Sequence, residues 1–320
     1  MSSVRVGIVG VGGVGRHHAA VLKGLEPRVS VAVYDVREDV RRLVSGELGV
    51  DECDSLESLV KSVDAVLVCT PPHTHPQIIE LAAEEGKHVF CEKPLAADLE
   101  GAERAVRAIR RHGVLMMMGF VLRFNPLYVR AKELLDEGAI GDVAMAWFLD
   151  VRGPFRTKGS RWRLLRRCGS GIFEQVVHDV DAMRWLLGEP ETVYAAGSRM
   201  VLRDVDYEDA VTYLMRMRGG FTATLVAAIC SKKSGSRDFG IVGSEGTLMR
   251  RGGGLYLNDE PVECGDWNPF EREDAYFVEC VRRGERPEVN EVDGYRAQAI
   301  GEAALLSLAL GREVRVEYKY

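Results

Sequence analysis

Gly10-Val11-Gly12-Gly13-Val14-Gly15 decides the reading of this 320-residue chain. It follows a β-rich run, Val4–Val9, and precedes a helical stretch from Val14 to about Leu25. A G-x-G-x-x-G turn between strand and helix gives each glycine a duty: a tight turn, close approach of backbone to a pyrophosphate, and close packing of helix on strand. The helix that starts there turns unpaired N–H groups and its positive dipole end toward phosphate. Asp35 stands twenty residues beyond Gly15, at the end of a second strand candidate, Val29–Tyr34. Its carboxylate can accept from a ribose 2′-hydroxyl and would repel a 2′-phosphate, which favours NAD over NADP. Arg37, two residues on, moderates that preference. Gly10, Gly12, Gly13, Val14, Gly15, Asp35 and Arg37 are the cofactor-binding candidates of this segment. His17 and His18, just inside the helix, read as packing or solvent residues rather than ligands.

The alternation continues outward. Ala65–Cys69, Lys87–Cys91 and Val114–Met118 read as strands, with helices at about His75–Glu85 and Leu99–Arg111. Short strands separated by helices predict crossover units and a parallel sheet covered on both faces. Beyond Gly119 the rhythm changes to successive β-rich segments, among them Asp142–Val151, Thr192–Ser198, Ala210–Met217 and Thr222–Ile229, with a late helix near Gly294–Leu310. The expected fold is therefore α/β: an N-terminal Rossmann-type doubly wound parallel sheet over 1–120, then an α/β domain with an open, mostly antiparallel sheet over 121–320. An open sheet face needs cover, so a homodimer or homotetramer is expected.

Hydrophobic residues make up 46% and charged residues 28%, the balance of a water-soluble globular protein. The net charge of -6 argues against a nucleic-acid surface. No apolar stretch approaches the ~18 residues of a membrane span. Seven scattered cysteines without a C-x-x-C pair indicate neither a disulfide framework nor a metal knuckle. A reducing cytoplasm fits them, no metal is expected, and no secretion signal is read at the start.

Two further segments bear chemistry. Gly86-Lys87-His88-Val89-Phe90-Cys91-Glu92-Lys93-Pro94 places Glu92 and Lys93 just beyond a parallel strand, where ligands of open α/β sheets bind. A lysine beside a cationic nicotinamide loses its proton more readily and can act as general acid or base. The competing reading is a surface lysine paired with Glu92. In Gly169-Ser170-Gly171-Ile172-Phe173-Glu174-Gln175-Val176-Val177-His178-Asp179-Val180-Asp181 a predicted helix puts Glu174 and His178 on one face, with Asp181 three residues beyond. His178 can carry a proton and a carboxylate can orient it. The competing reading is a glycine-started helix with one satisfied histidine.

Gly10–Gly15, Thr70-Pro71-Pro72-His73-Thr74-His75 and Gly86–Pro94, in that order, resemble the glucose–fructose oxidoreductase / inositol dehydrogenase / rhizopine-catabolism (Gfo/Idh/MocA) family. The resemblance implies an NAD(P)-dependent oxidoreductase that moves a hydride between nicotinamide and a secondary hydroxyl or ketone of a sugar, polyol or sugar acid. It implies that Lys93 binds substrate and transfers a proton, with His178 as its acid/base partner. It places Thr70, Pro71, His75, Glu92 and Lys93 at the cofactor, and Glu174, Asp181, Arg123 and Asn125 at the substrate. The last two come from Gly119–Pro126, which resembles the family's joining segment. The chain departs from the family at Ser170, which replaces a glycine, and at Glu174, where aspartate is common. That weakens transfer of any one substrate. A redox-neutral NAD-dependent enzyme of glycosidase type, a carbonyl or imine reductase, and a non-catalytic NAD-responsive regulator remain open beside the dehydrogenase. Arg152, Arg156, Lys158, Arg161, Arg163, Arg166 and Arg167 form a basic stretch that reads first as a solvated loop or subunit contact, and second as an anion site.

Overall fold

A computed structural model describes residues 3–25, 27–153, 161–169, 171–233 and 235–320. The elements run β1 (Val4–Val9), α1 (Gly13–Lys23), β2 (Val29–Tyr34), α2 (Glu38–Leu48), β3 (Asp51–Glu52), α3 (Leu56–Ser62), β4 (Ala65–Val68), α4 (His75–Glu84), β5 (His88–Glu92), α5 (Leu99–His112) and β6 (Met116–Gly119). They continue with α6 (Pro126–Asp136), β7 (Val143–Val151), α7 (Ile172–Leu187), β8 (Pro190–Ser198), β9 (Ala210–Met217), β10 (Thr222–Ala228), β11 (Ser236–Gly243), β12 (Thr247–Arg251), β13 (Gly254–Leu257) and β14 (Glu260–Val262). The chain closes with α8 (Pro269–Arg283), α9 (Glu291–Leu310) and β15 (Val314–Arg315).

Two compact units emerge. One comprises 1–121 with 268–295, the other 122–267 with 296–320. The simple division at 120/121 expected from sequence thus misses a return: α8 and the start of α9 belong with the first unit.

The first unit holds a parallel sheet in the order β3-β2-β1-β4-β5-β6. Its central strands are apolar because helices cover both faces: Val6, Ile8, Val66, Leu67, Val89 and Phe90 are fully buried. Helix ends follow local chemistry. Ser55 caps α3 through its hydroxyl, Asp98 caps α5 by accepting from the Gly101 N–H, and Gly113 ends α5 in the left-handed region.

Helix α8 has no sequence expectation behind it. Asn268 caps it and Pro269 starts it, and Phe277 and Val278 are buried from its inner face. That face also carries Glu273 and Asp274, which are 0% and 1% exposed. Neither carboxyl oxygen of Glu273 has a hydrogen-bond partner among the described residues. Burial, and next the neighbouring Glu92 charge, push its pKa well above the ordinary range. A raised carboxyl binds its proton more tightly when folded, so its contribution is full below the ordinary glutamate value. It is lost as pH rises through the raised one. Glu273→Leu is therefore expected to raise alkaline stability by about 1–3 kcal/mol, because it removes an unpartnered buried polar group. Denaturant midpoints between about pH 5 and about pH 9 check this. A variant that loses as much stability on alkalinisation as the wild type contradicts it.

The second unit holds a sheet in the order β14-β13-β12-β11-β7-β10-β9-β8-β15. It is antiparallel except for the β7–β10 pair. One face buries Phe148, Tyr213, Leu225, Phe239 and Leu248. Tyr128 of α6 tilts against Phe239, with ring centroids 5.3 Å apart. The other face alternates outward, as period-two side chains must.

Candidate active site

The glycine turn is built by steric necessity at two positions. Gly10 has φ +87°, and a Cβ there would meet the Cys69 carbonyl oxygen at 2.9 Å. A Cβ on Gly15 would meet the Gly10 carbonyl oxygen at 1.9 Å. Gly12 and Gly13 behave differently: a Cβ on either would touch nothing within 4 Å. Their openness serves approach from outside rather than internal packing. Helix α1 has no side-chain cap and no acidic residue in its first turn, and Val14 is exposed there. Its leading N–H groups and dipole are thus left for an anion, as a pyrophosphate requires.

Asp35 is 7% exposed and braces this turn. Its Oδ2 accepts from the Val11 N–H at 3.0 Å and its Oδ1 from the Arg37 N–H at 2.9 Å. Each oxygen keeps a lone pair for a ribose hydroxyl. The Arg37 side chain is half-exposed, with Nε 3.7 Å from Asp35 Oδ1. The residues present therefore fit a dinucleotide, and the carboxylate fits the unphosphorylated ribose.

Lys93 follows β5 directly, and its turn is pinned from two sides. On one, His75 is fully buried with its ring nitrogens 2.9 Å from the Pro94 carbonyl oxygen and 2.8 Å from that of Thr70. Burial pushes its pKa down, so the ring is neutral and donates from one nitrogen at a time. The Thr74 hydroxyl donates to the Pro71 carbonyl at 2.8 Å, which shapes the start of α4. On the other side, Glu92 is buried, its Oε2 accepting from the Lys93 N–H at 3.2 Å and its Oε1 lying 3.1 Å from His18 Nε2. Burial alone would push Glu92 up, but the hydrogen bond and charge of His18, with the charge of Lys93, hold it below the usual value. The Glu92 carboxylate points inward; it supports the turn. His18, read from sequence as packing or solvent, is a fully buried partner of that carboxylate.

In the second unit, α7 starts at Ile172, with Gly171 as its N-cap. From Ile172 to Asp181 every residue is buried except His178, which is half-buried. Glu174, 2% exposed, faces Arg163 Nη1 at 3.2 and 3.1 Å and also accepts from the Gln175 amide. The Arg163 guanidinium lies over the Trp162 ring at 4.4 Å, and the Tyr207 hydroxyl donates to the Arg163 carbonyl at 2.6 Å.

Arg123 and Asp181 come together as a bidentate pair at 2.8 and 2.6 Å, their side chains 9% and 1% exposed. Arg184 joins at 3.2 Å and reaches on to Glu189, which Arg296 also contacts. The sequence placed Arg123 and Asp181 at the substrate; the geometry makes them first a buried ion pair. Asn125 is likewise spent in part as the cap of α6, its Oδ1 accepting from the Leu127 N–H at 3.1 Å.

Three residues of the basic stretch form ion pairs. Arg152 binds Asp150, Arg163 binds Glu174, and Arg166 binds Glu208 at 2.7 Å. Arg237, from outside the stretch, bridges Asp150 and Asp179 at 3.2 Å each. Burial, opposed by Arg237 and abetted by Asp150, pushes Asp179 up to about 7. Arg156, Lys158 and Ser170 lie outside the described residues, as does the side chain of Arg161. Among the described residues no cluster of His, Cys, Asp or Glu could hold a metal ion, and no helix is long and apolar enough to cross a membrane.

A parallel sheet carrying an open glycine turn, a buried aspartate after β2 and a lysine at the same carboxyl edge fits a nicotinamide-dinucleotide oxidoreductase. Residues 4–120 match the oxidoreductase family with NAD-binding Rossmann fold, and residues 128–249 match the GFO/IDH/MocA C-terminal domain. The chain is 31% identical to the myo-inositol 2-dehydrogenase of Thermotoga maritima, covering 98% of this chain and 99% of that one. It is 29% identical to the scyllo-inositol 2-dehydrogenase (NAD(+)) of Bacillus subtilis, covering 99% and 97%. A levoglucosan dehydrogenase in complex with NADH shares the fold, with a TM-score of 0.90 over 99% of this chain and all of that one at 22% identity. The chain belongs to the GFO/IDH/MocA family, and NAD is its cofactor.

Proposed function

We propose that the protein oxidises a secondary hydroxyl of a sugar, polyol or sugar acid to the ketone, reversibly, with NAD taking the hydride. One observation carries the reading. Lys93 stands one residue beyond β5, at the carboxyl edge of the same parallel sheet whose β1 and β2 lead to Gly10–Gly15 and Asp35. When bound, nicotinamide supplies the hydride acceptor at carbon 4. Lys93 holds or takes the hydroxyl proton at its Nζ, and Glu92 anchors the turn that carries it. His178, the half-buried residue of an otherwise buried stretch, is the second proton carrier. Glu174 accepts from a substrate hydroxyl in concert with Arg163. The named activities of the two inositol dehydrogenase relatives support the polyol class. They do not fix the substrate, because Glu174 is paired to an arginine.

The test follows nicotinamide absorbance with NAD and a panel of polyols, sugars and sugar acids, and identifies products by mass. Ketone formed in step with NADH supports the reading. A product of unchanged oxidation level, with NAD recycled, replaces it by a redox-neutral one. An unchanged panel with demonstrated NAD binding directs the search to carbonyl or imine substrates, or to a regulator.

The open face of the second sheet supports self-association. Tyr194, Leu214, Thr224, Trp147 and Met249 form one outward row across β8, β9, β10, β7, β11 and β12. Gly240 of β11 contributes no side chain: a Cβ there would meet the Trp147 ring at 2.0 Å. Tyr194 and Leu214 are 41% and 45% exposed, so an apolar band is open on one chain. A homodimer or homotetramer is expected, and sedimentation velocity checks it: a single species at 35.4 kDa contradicts it. Seven cysteines, none of them in a disulfide among the described residues, support a reducing, cytoplasmic setting.

A further inference from the structure

His18 is fully buried and lies between two carboxylates on different elements of the first unit. Its Nδ1 is 2.8 and 3.0 Å from the Asp274 oxygens on α8, and its Nε2 is 3.1 Å from Glu92 Oε1 at the end of β5. Glu92 passes the contact on, since its other oxygen accepts from the Lys93 N–H. A chain of four groups thus runs from the return helix through α1 to the main chain of Lys93.

We propose that His18 is a positioning residue for the proposed hydride transfer: clamped as an imidazolium between Asp274 and Glu92, it fixes the Glu92 carboxylate and, through it, the turn bearing Lys93. The proposal rests on the reading of Lys93 as the proton carrier.

The chemistry follows from the acceptors. An ionised carboxylate only accepts, so each ring nitrogen that faces one must carry a proton. With both nitrogens so occupied, His18 is cationic and Glu92 stays anionic in a buried place. Burial disfavours the cation, but the hydrogen bonds and charges of Asp274 and Glu92 outweigh it and raise His18 well above its usual value. The surroundings are closed to water by aromatic rings: Phe90 lies 5.3 Å and Phe270 5.6 Å from the His18 ring, centroid to centroid. The other titratable groups that bear on the pair are His17 on α1, Glu273 on α8, Cys69 after β4, His75 on α4, and Cys91 and Lys93 beside Glu92. Glu273 and the two thiols hold their protons and His75 stays neutral through burial; burial also raises Asp274 above its usual value, against the hydrogen bond and charge of His18 that favour its anion. Without His18, Glu92 would lose its hydrogen-bonded cation and keep only the charge of Lys93. It would then protonate or turn away, and the carboxylate beside Lys93 would be gone.

The experiment has two arms on the full-length protein. In the first, histidine labelled with nitrogen-15 reports the His18 ring in wild type, and amide exchange reports Lys93 in wild type and His18→Gln. The proposal expects imidazolium shifts well above the usual histidine pKa and a Lys93 amide protected only in wild type. A neutral His18 ring at neutral pH, or unchanged protection in His18→Gln, overturns it. In the second arm, kcat of His18→Gln is expected to fall on the order of 10- to 100-fold with KM nearly unchanged. The pH profile should shift, and the loss should be non-additive with that of Glu92→Gln. An unshifted profile with additive losses overturns the proposal. If wild type turns over none of the polyols or sugars, the function reading fails, and the first arm still decides the positioning.

Discussion

Lys93→Met is expected to lower turnover by ~10²–10⁴-fold while NAD binding stays close to wild type. Methionine keeps an unbranched chain of similar reach but has no proton to hold or give. The turn should survive, because Glu92 accepts from the Lys93 main-chain N–H, which the variant retains. His75 and His18 grip the neighbouring main chain and Glu92, not the Lys93 ammonium. Loss of turnover with retained NADH fluorescence binding assigns the proton step to Nζ. Turnover within a few-fold of wild type would remove Lys93 from the chemistry.

Asp181→Ala is expected to destabilise the protein by about 3–5 kcal/mol, the cost of stripping the anion from buried cations. Arg123 and Arg184 both face that carboxylate, and their side chains are 9% and 4% exposed. Removal takes from both guanidinium groups the carboxylate they share, while Glu189 already serves Arg184 and Arg296. Replacing the pair by apolar residues of similar volume should cost far less, since the desolvation of both charges is then avoided. Urea midpoints of the single and paired variants check this. Equal midpoints for Asp181→Ala and wild type would return Asp181 to the role read from sequence, an open acceptor for substrate.

The parts of the fold legible in the sequence are those set by neighbours in sequence. The glycine turn and Asp35 lie within one strand–helix–strand unit, and their spacing is imposed by the ligand they fit. The outer strands were visible through period-two alternation, as in β9, where Val211, Tyr213, Met215 and Met217 point inward. Helix α8 was not visible because its buried face carries Glu273 and Asp274, which break the apolar pattern that marks an amphipathic helix. The return of that helix to the first unit followed the same blind spot. His18 and Asp274 are 256 residues apart, and Arg123 and Asp181 are 58 apart. Such long-range charge pairs leave no periodic trace, so the carboxylate partners of His18 and the arginine partners of Asp181 are not legible in the sequence. Glu174 was singled out by its place in the motif, and its Arg163 partner became apparent only through the fold.

The central claim is hydride transfer from a polyol carbon to nicotinamide, and isotope transfer tests it most directly. Wild-type protein is given NAD and a polyol or sugar carrying deuterium on its hydroxyl-bearing carbons, and the recovered nicotinamide is read by mass and proton resonance. The account predicts deuterium at carbon 4 of NADH in step with ketone formation, and transfer slowed by ~10²–10⁴-fold in Lys93→Met. Product formed by wild type without deuterium reaching the nicotinamide would contradict it.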